Sequence, residues 1–159
     1  GFWMLQTGPV SKATMLLTRF ALALFFLLPL GILLGYFSPK VLGLDANLTA
    51  ISLLLGVASA VAAAGLGVGL GAAYPKFDAP NPAEVPIGIG GFLYMGLSLL
   101  HSAGLVLLAS RPVYLAFTKG ENAYFSSPEG GLWLLILLAV TLIPTVLALM
   151  FGYQRMGNR

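Results

Sequence analysis

The stretch GLGVGLGAAYPKFDAPNP, residues 65–82, has two interpretations, and the choice between them decides the fold. Gly67, Gly69 and Ala72 fit the loose G-x-G-x-x-G/A pattern of a dinucleotide-binding turn. That turn needs a strand before it, a soluble helix after it, and an acidic residue about 20 residues further on. Here the glycines end the uncharged run LLLGVASAVAAAGLGVGLGAAY, and Pro75 follows in place of a helix. The sequence therefore favours glycines on a membrane helix.

The composition of the chain predicts that lipid surrounds this stretch. Hydrophobic residues make up 58% of the 159 residues and charged residues 8%, with a mean hydropathy of +0.95. A soluble domain carries about 25% charged residues. The net charge of +3 is too small and too scattered to favour nucleic acid as a partner. The absence of cysteine excludes disulfides, thiolate metal sites and a cysteine nucleophile.

Four segments are apolar enough to cross a bilayer, which takes roughly 20 apolar residues in each helix. The fold class predicted is an all-α, polytopic membrane protein of one domain. Ser38, Pro39 and Lys40 are predicted to close the first span, and Arg111 with Pro112 the third. The predicted spans cover residues 19–37, 48–74, 87–110 and 132–153.

The distribution of basic residues predicts the orientation of these spans. The side that holds both ends of the chain and the loop at residues 75–86 carries five Lys and Arg residues, against three on the opposite side. The positive-inside rule places that side in the cytoplasm. Residues 1–18 are predicted to form a cytoplasmic amphipathic elbow, in which Ser11 caps the following helix. Because the chain begins with Gly inside this elbow, we expect a fragment of a longer protein.

Small residues give the second and third spans a predicted helix-packing surface. On the second span they recur at four-residue spacing, which lets another helix backbone approach closely. Two alternatives remain open: ordinary packing between neighbouring spans, or a sliding or subunit-contact face. The predicted helix-packing residues are Gly65, Gly67, Gly69, Gly71, Gly90 and Gly91.

His101 is the one ionisable residue deep in a predicted span. Ionisable groups at that depth are costly and are candidates for a functional polar site. Alternatively, a neutral imidazole is satisfied by Ser98, three residues earlier on the same helix face, or by a neighbouring helix. A metal site or an acid–base pair is unsupported, because the predicted spans hold no second histidine and no carboxylate. Pro29 and Pro144 lie inside the first and fourth spans and are expected to kink them.

Two stretches resemble permease subunits of the exporter class of ATP-binding-cassette transporters. FWMLQTGPVSKATMLLTRF resembles the segment before the third span of such permeases. GLGVGLGAAYPKFDAPNPAEVPIGIGGFLYM is similar to a pattern in a bacterial branch of large permeases, Gly-Ala-hydrophobic-Pro-x-Phe-x-x-x-Asn-Pro followed by Gly-Gly. The matching positions are Gly71, Ala72, Pro75, Phe77, Asn81, Pro82, Gly90 and Gly91.

The resemblance implies a carboxyl-terminal part of an exporter permease in the bacterial cytoplasmic membrane. Its spans would be the third to sixth of a six-span core, without a cofactor or enzymatic chemistry of their own. The implied partners are a separate ATP-binding subunit and a second permease copy or half. The residues implied in coupling to the ATPase are Phe2, Trp3, Pro9, Ser11, Lys12, Pro75, Lys76, Phe77, Asp78, Asn81 and Pro82.

Two other classes of function compete with this one. A non-transport membrane scaffold or assembly protein would use the same small-residue faces. An intramembrane enzyme would need paired catalytic side chains at spanning depth, which the predicted spans lack. No G-x-x-x-x-G-K-[ST] sequence occurs, so these 159 residues do not supply an ATPase site of that kind.

Overall fold

The part of the chain that the computed structural model describes is built from α-helices, which confirms the all-α part of the predicted class. The described residues are 11–75, 88–119 and 128–157. They form four helices and no strand: α1 (Lys12–Val41), α2 (Ala46–Ala73), α3 (Ile89–Lys119) and α4 (Pro128–Gly157). All four are long and apolar enough to cross a membrane, judged by length and composition. The first ten residues of the predicted elbow lie outside the described residues, and residues 12–18 are the start of α1.

The first helix begins at its predicted cap, Ser11, and it continues past Pro39, which was predicted to close it. The Ser11 hydroxyl accepts a hydrogen bond from the backbone N–H of Thr14 at 3.1 Å. Beyond Pro39, α1 continues to Val41, and Gly43 then takes a positive φ of 67°. The Gly43 N–H donates to Lys40 O at 3.1 Å, and the next N–H donates to Pro39 O at 2.9 Å. This is a Schellman motif, so the glycine and not the proline ends the helix.

The third helix also continues through a residue that was predicted to end it. Arg111 and Pro112 lie inside α3, which runs to Lys119. Pro112 has no N–H, so the Leu108 carbonyl four residues earlier loses its backbone donor. The indole Nε1 of Trp133 on α4 donates to that oxygen at 2.8 Å. The neighbouring helix therefore supplies the missing bond, and α3 is not broken at the fully buried proline.

The second helix lies at the centre of the bundle. It packs against α1, α3 and α4, whereas α3 and α4 make little direct contact. In its most apolar 18-residue window 39% of the residues are buried, against 6% for α1 and 11% for α3. The outer faces of the other helices carry large exposed apolar side chains, such as Phe25 at 73% and Leu99 at 74% exposure. Such faces suit contact with hydrocarbon.

Candidate functional site: the helix contacts of α2

The closest helix contact in the predicted packing surface lies between α2 and α4. A Cβ atom added to Gly65 would lie 2.5 Å from Cγ2 of Thr145, and one added to Gly69 would overlap the carbonyl of Ala148. On the facing helix, a Cβ added to Gly152 would lie 2.6 Å from Gly69 O. A side chain is therefore excluded at Gly65, Gly69 and Gly152, and at Gly69 the backbones of the two helices touch. We call these five residues the α2–α4 contact.

The other predicted packing glycines have different surroundings. Gly67 faces the ring of Tyr94 on α3 at an ordinary 3.5 Å, measured from an added Cβ. For Gly90, the corresponding distance to the Tyr74 Cβ is 3.1 Å. Gly91 is half-buried in the first turn of α3. Gly71 is exposed, and an added Cβ would meet no atom within 4 Å in the described part of the chain.

A second backbone contact lies between α1 and α2, and it was not predicted from the sequence. A Cβ added to Gly31 would lie 2.5 Å from Gly56 O, and one added to Gly35 would lie 2.8 Å from the Leu53 Cα. The available signal was the run GILLG, which is a G-x-x-x-G pattern in the first span. Its partner Gly56 has no glycine four residues away, so it carried no such signal.

The two buried threonines of α4 are satisfied within their own helix. The hydroxyls of Thr141 and Thr145 donate to the carbonyls of Leu137 and Thr141, each at 2.7 Å. Such bonds to the preceding turn let threonine lie in an apolar interior. No group of three or more His, Cys, Asp or Glu residues that could hold a metal occurs among residues 11–75, 88–119 and 128–157. The arrangement of these threonines suits helix packing.

His101 lies in α3 at the edge of a groove between α2, α3 and α4. Its Nε2 is buried and has no hydrogen-bond partner among the described residues, and the same holds for Oγ of Ser98. The interpretation in which Ser98 satisfies the imidazole is therefore wrong for this structure. A buried polar group left unpaired costs about 1–3 kcal/mol on protein mutational scales.

This groove, which we call the His101 groove, exists because α3 and α4 make little contact. Its volume is about 600 Å³. Apart from the imidazole and a tyrosine, its lining is apolar. The lining residues are Leu66, Leu70, Tyr74, Leu93, Leu97, Leu100, His101, Gly104, Val140, Pro144, Leu147, Ala148 and Phe151.

Most of the residues predicted to couple to an ATPase lie outside the described part of the chain. Ser11 and Lys12 begin α1, and Pro75 follows the end of α2. Because α1 and α2 pack antiparallel, these three residues lie at the same end of the bundle. The predicted residues outside the description are Phe2, Trp3, Pro9, Lys76, Phe77, Asp78, Asn81 and Pro82.

Arg155 lies at the same end of the bundle as Pro75, and it was not predicted as a site residue from the sequence. The guanidinium carbon of Arg155 lies 5.1 Å from the ring centre of Tyr74 and 5.4 Å from that of Phe151. Both distances are within the range of a cation–π contact. The end of α4 is thereby held to the end of α2. Arg155 itself stays exposed, so its charge remains available at the surface.

Comparison with known proteins corrects the functional expectation. A family model described as "Putative ATP-binding cassette" matches residues 1–158. That description names an ATP-binding component and not a transmembrane subunit, so the expectation of an exporter permease is wrong. The competing expectation of a membrane scaffold gains no specific support from the match. No curated protein and no solved structure matches the chain significantly. Because the family model covers nearly the whole sequence, the chain belongs to the family described as a putative ATP-binding cassette.

Proposed function

We propose that these 159 residues form the membrane-embedded helical part of an ATP-binding-cassette component, and that a partner domain or subunit outside them binds and hydrolyses ATP. Family membership supports the ATP-binding-cassette context. The four long apolar helices support a place in the bilayer. ATP hydrolysis is assigned to the partner because the sequence contains no G-x-x-x-x-G-K-[ST] loop.

The observation that carries this proposal is the direct backbone contact of α2 with two other helices. Gly56 meets Gly31 of α1, and Gly69 meets Ala148 of α4. Contacts without intervening side chains leave little space for one helix to shift against another. We therefore infer that α1, α2 and α4 respond as one body when a partner binds at either end.

The end that holds Ser11, Lys12, Pro75 and Arg155 is the proposed side of partner binding. Five Lys and Arg residues belong to this side in the predicted topology, against three on the other. The positive-inside rule assigns such a side to the cytoplasm, where ATP is available. The proposed location is accordingly the cytoplasmic membrane, with both ends of the chain on the cytoplasmic side.

Purification from native membranes followed by photolabelling with 8-azido-ATP tests the proposal. We expect the label outside residues 1–158, on a phosphate-binding lysine loop of the same polypeptide or of one that co-purifies. Label attached within residues 1–158 would contradict the assignment of ATP binding to a partner. So would purified material in which no polypeptide binds ATP.

Two glycine variants serve as matched probes in that experiment. Gly69→Leu is expected to reduce the recovery of ATP photolabel with the purified helices, because leucine cannot fit against Ala148. Gly71→Leu, two residues away, adds its side chain where no described atom lies within 4 Å of the Cβ, so recovery should be unchanged. Equal recovery with both variants would show that the α2–α4 contact is not needed for association with the ATP-binding partner.

A further inference from the structure

We infer that the His101 groove binds a single-chain amphiphile whose hydroxyl-type head group hydrogen-bonds to the His101 imidazole. This inference concerns a ligand site within the bundle. It does not depend on the ATP-binding-cassette assignment.

The size and lining of the groove suit a ligand of this kind. Its volume of about 600 Å³ falls within the roughly 300–1,000 Å³ typical of small-molecule sites. Leucines from α2, α3 and α4 line the groove, and an apolar lining is what an alkyl chain requires. Ligand sites of this class combine an apolar wall with few polar groups, and here the imidazole is such a group.

The polar group of the ligand is inferred from an atom that the described residues leave unpaired. His101 lines the groove, and its Nε2 is buried without a partner in the described part of the chain. At spanning depth, water does not replace the missing partner. A hydroxyl can donate and accept, so it matches either tautomer of a neutral imidazole. The ring can present either edge to the groove, since rotation about χ2 of histidine is broad and roughly two-fold.

The single histidine of the chain makes the inference directly testable. The full chain, purified without a polyhistidine tag and labelled with ¹⁵N-histidine, gives imidazole signals from His101 alone. In lipid nanodiscs, titration with hexadecanol should shift these ¹⁵N signals saturably. Hexadecane, which has the same chain length and no hydroxyl, should leave them unchanged.

Two glycine variants of α3 separate binding in the groove from general partitioning into lipid. Gly104 lines the groove, and a Cβ added there meets no described atom within 4 Å. Gly104→Leu therefore fills the groove without a clash and should weaken the apparent hexadecanol affinity by about tenfold or more. Gly96 is equally open but does not line the groove, so Gly96→Leu should bind hexadecanol as the unmodified protein does.

Three results would overturn the inference. The first is the same ¹⁵N shift with hexadecane as with hexadecanol, because the imidazole would then not recognise a hydroxyl. The second is no saturable shift with hexadecanol in the unmodified protein. The third is unchanged hexadecanol binding by Gly104→Leu, which would place the alkyl chain elsewhere.

Discussion

At the scale of single residues, the carbonyl of Leu108 shows how a proline is accommodated inside a membrane helix. Pro112 withholds the backbone donor, and the indole N–H of Trp133 replaces it at 2.8 Å. The sequence could not predict this bond, because its partners are 25 residues apart and lie on different helices. They meet only because α3 and α4 approach each other locally beside Trp133.

Replacing Trp133 with Phe should therefore lower the free energy of unfolding by about 1–2 kcal/mol, the range for hydrogen bonds between membrane helices in model peptides. The Leu108 carbonyl would be left unpaired in an apolar interior. Unfolding by SDS titration in mixed micelles, followed by circular dichroism, measures the change.

A double-mutant cycle provides the control for that prediction. Pro112→Ala restores a backbone N–H for Leu108 O, so Trp133→Phe should cost less in the Pro112→Ala background. Equal costs in both backgrounds would show that the indole stabilises the bundle by packing alone.

The glycines at positions 69 and 71 are predicted to respond oppositely to the same substitution. Gly69→Ala should destabilise by about 1–3 kcal/mol, because its methyl group overlaps the Ala148 carbonyl. Gly71→Ala should be neutral or stabilising by up to about 1 kcal/mol, because alanine favours helix and its Cβ meets no described atom within 4 Å. SDS titration of the two variants side by side distinguishes them. Similar losses at both positions would mean that Gly71 also packs against a helix.

At the scale of helices, the sequence predicted the number of spans better than their ends. Four apolar runs of sufficient length give four helices, because run length and hydropathy are local properties. Pro39 and Pro112 were expected to end helices, yet α1 and α3 continue past them. At Pro112 the freed Leu108 carbonyl is satisfied by Trp133 of α4, and such a partner on a neighbouring helix is not visible in a local pattern.

The end of α1 provides a prediction that depends on conformation alone. Gly43 has a φ of 67°, and a Cβ added there meets no described atom within 4 Å. Gly43→Ala should therefore cost about 1–2 kcal/mol from the left-handed backbone, without a packing term. Gly43→Asn should cost less, because asparagine tolerates this region. If alanine and asparagine lower the SDS midpoint equally, the Schellman motif does not determine stability here.

At the scale of the whole molecule, the sequence predicted apolar helices long enough to span a membrane. It did not predict which component of an ATP-binding-cassette assembly the chain is. The motif positions around Pro75 indicated an ATP-binding-cassette system, and the family match agrees with that context. The assignment to a permease was wrong, because short motifs at helix ends do not specify which component of an assembly carries them. The His101 groove was also beyond prediction, since it arises from the separation of α3 and α4 and not from any local pattern.

The central claim is that lipid surrounds a bundle with α2 inside, and single spin labels test it most directly. The chain has no cysteine, so one cysteine can be introduced at a time without removing others. Suitable outward positions are Phe26, Leu99 and Leu142, with exposures of 67%, 74% and 49%. Ala62 on α2, at 0% exposure, is the buried reference.

Collision rates with oxygen and with the water-soluble relaxant NiEDDA are measured at each position in lipid bilayers. The account predicts high oxygen and low NiEDDA rates at the three outward positions, and low rates of both at Ala62. NiEDDA rates above the oxygen rates at Phe26 and Leu99, or rates at Ala62 as high as those outside, would contradict it.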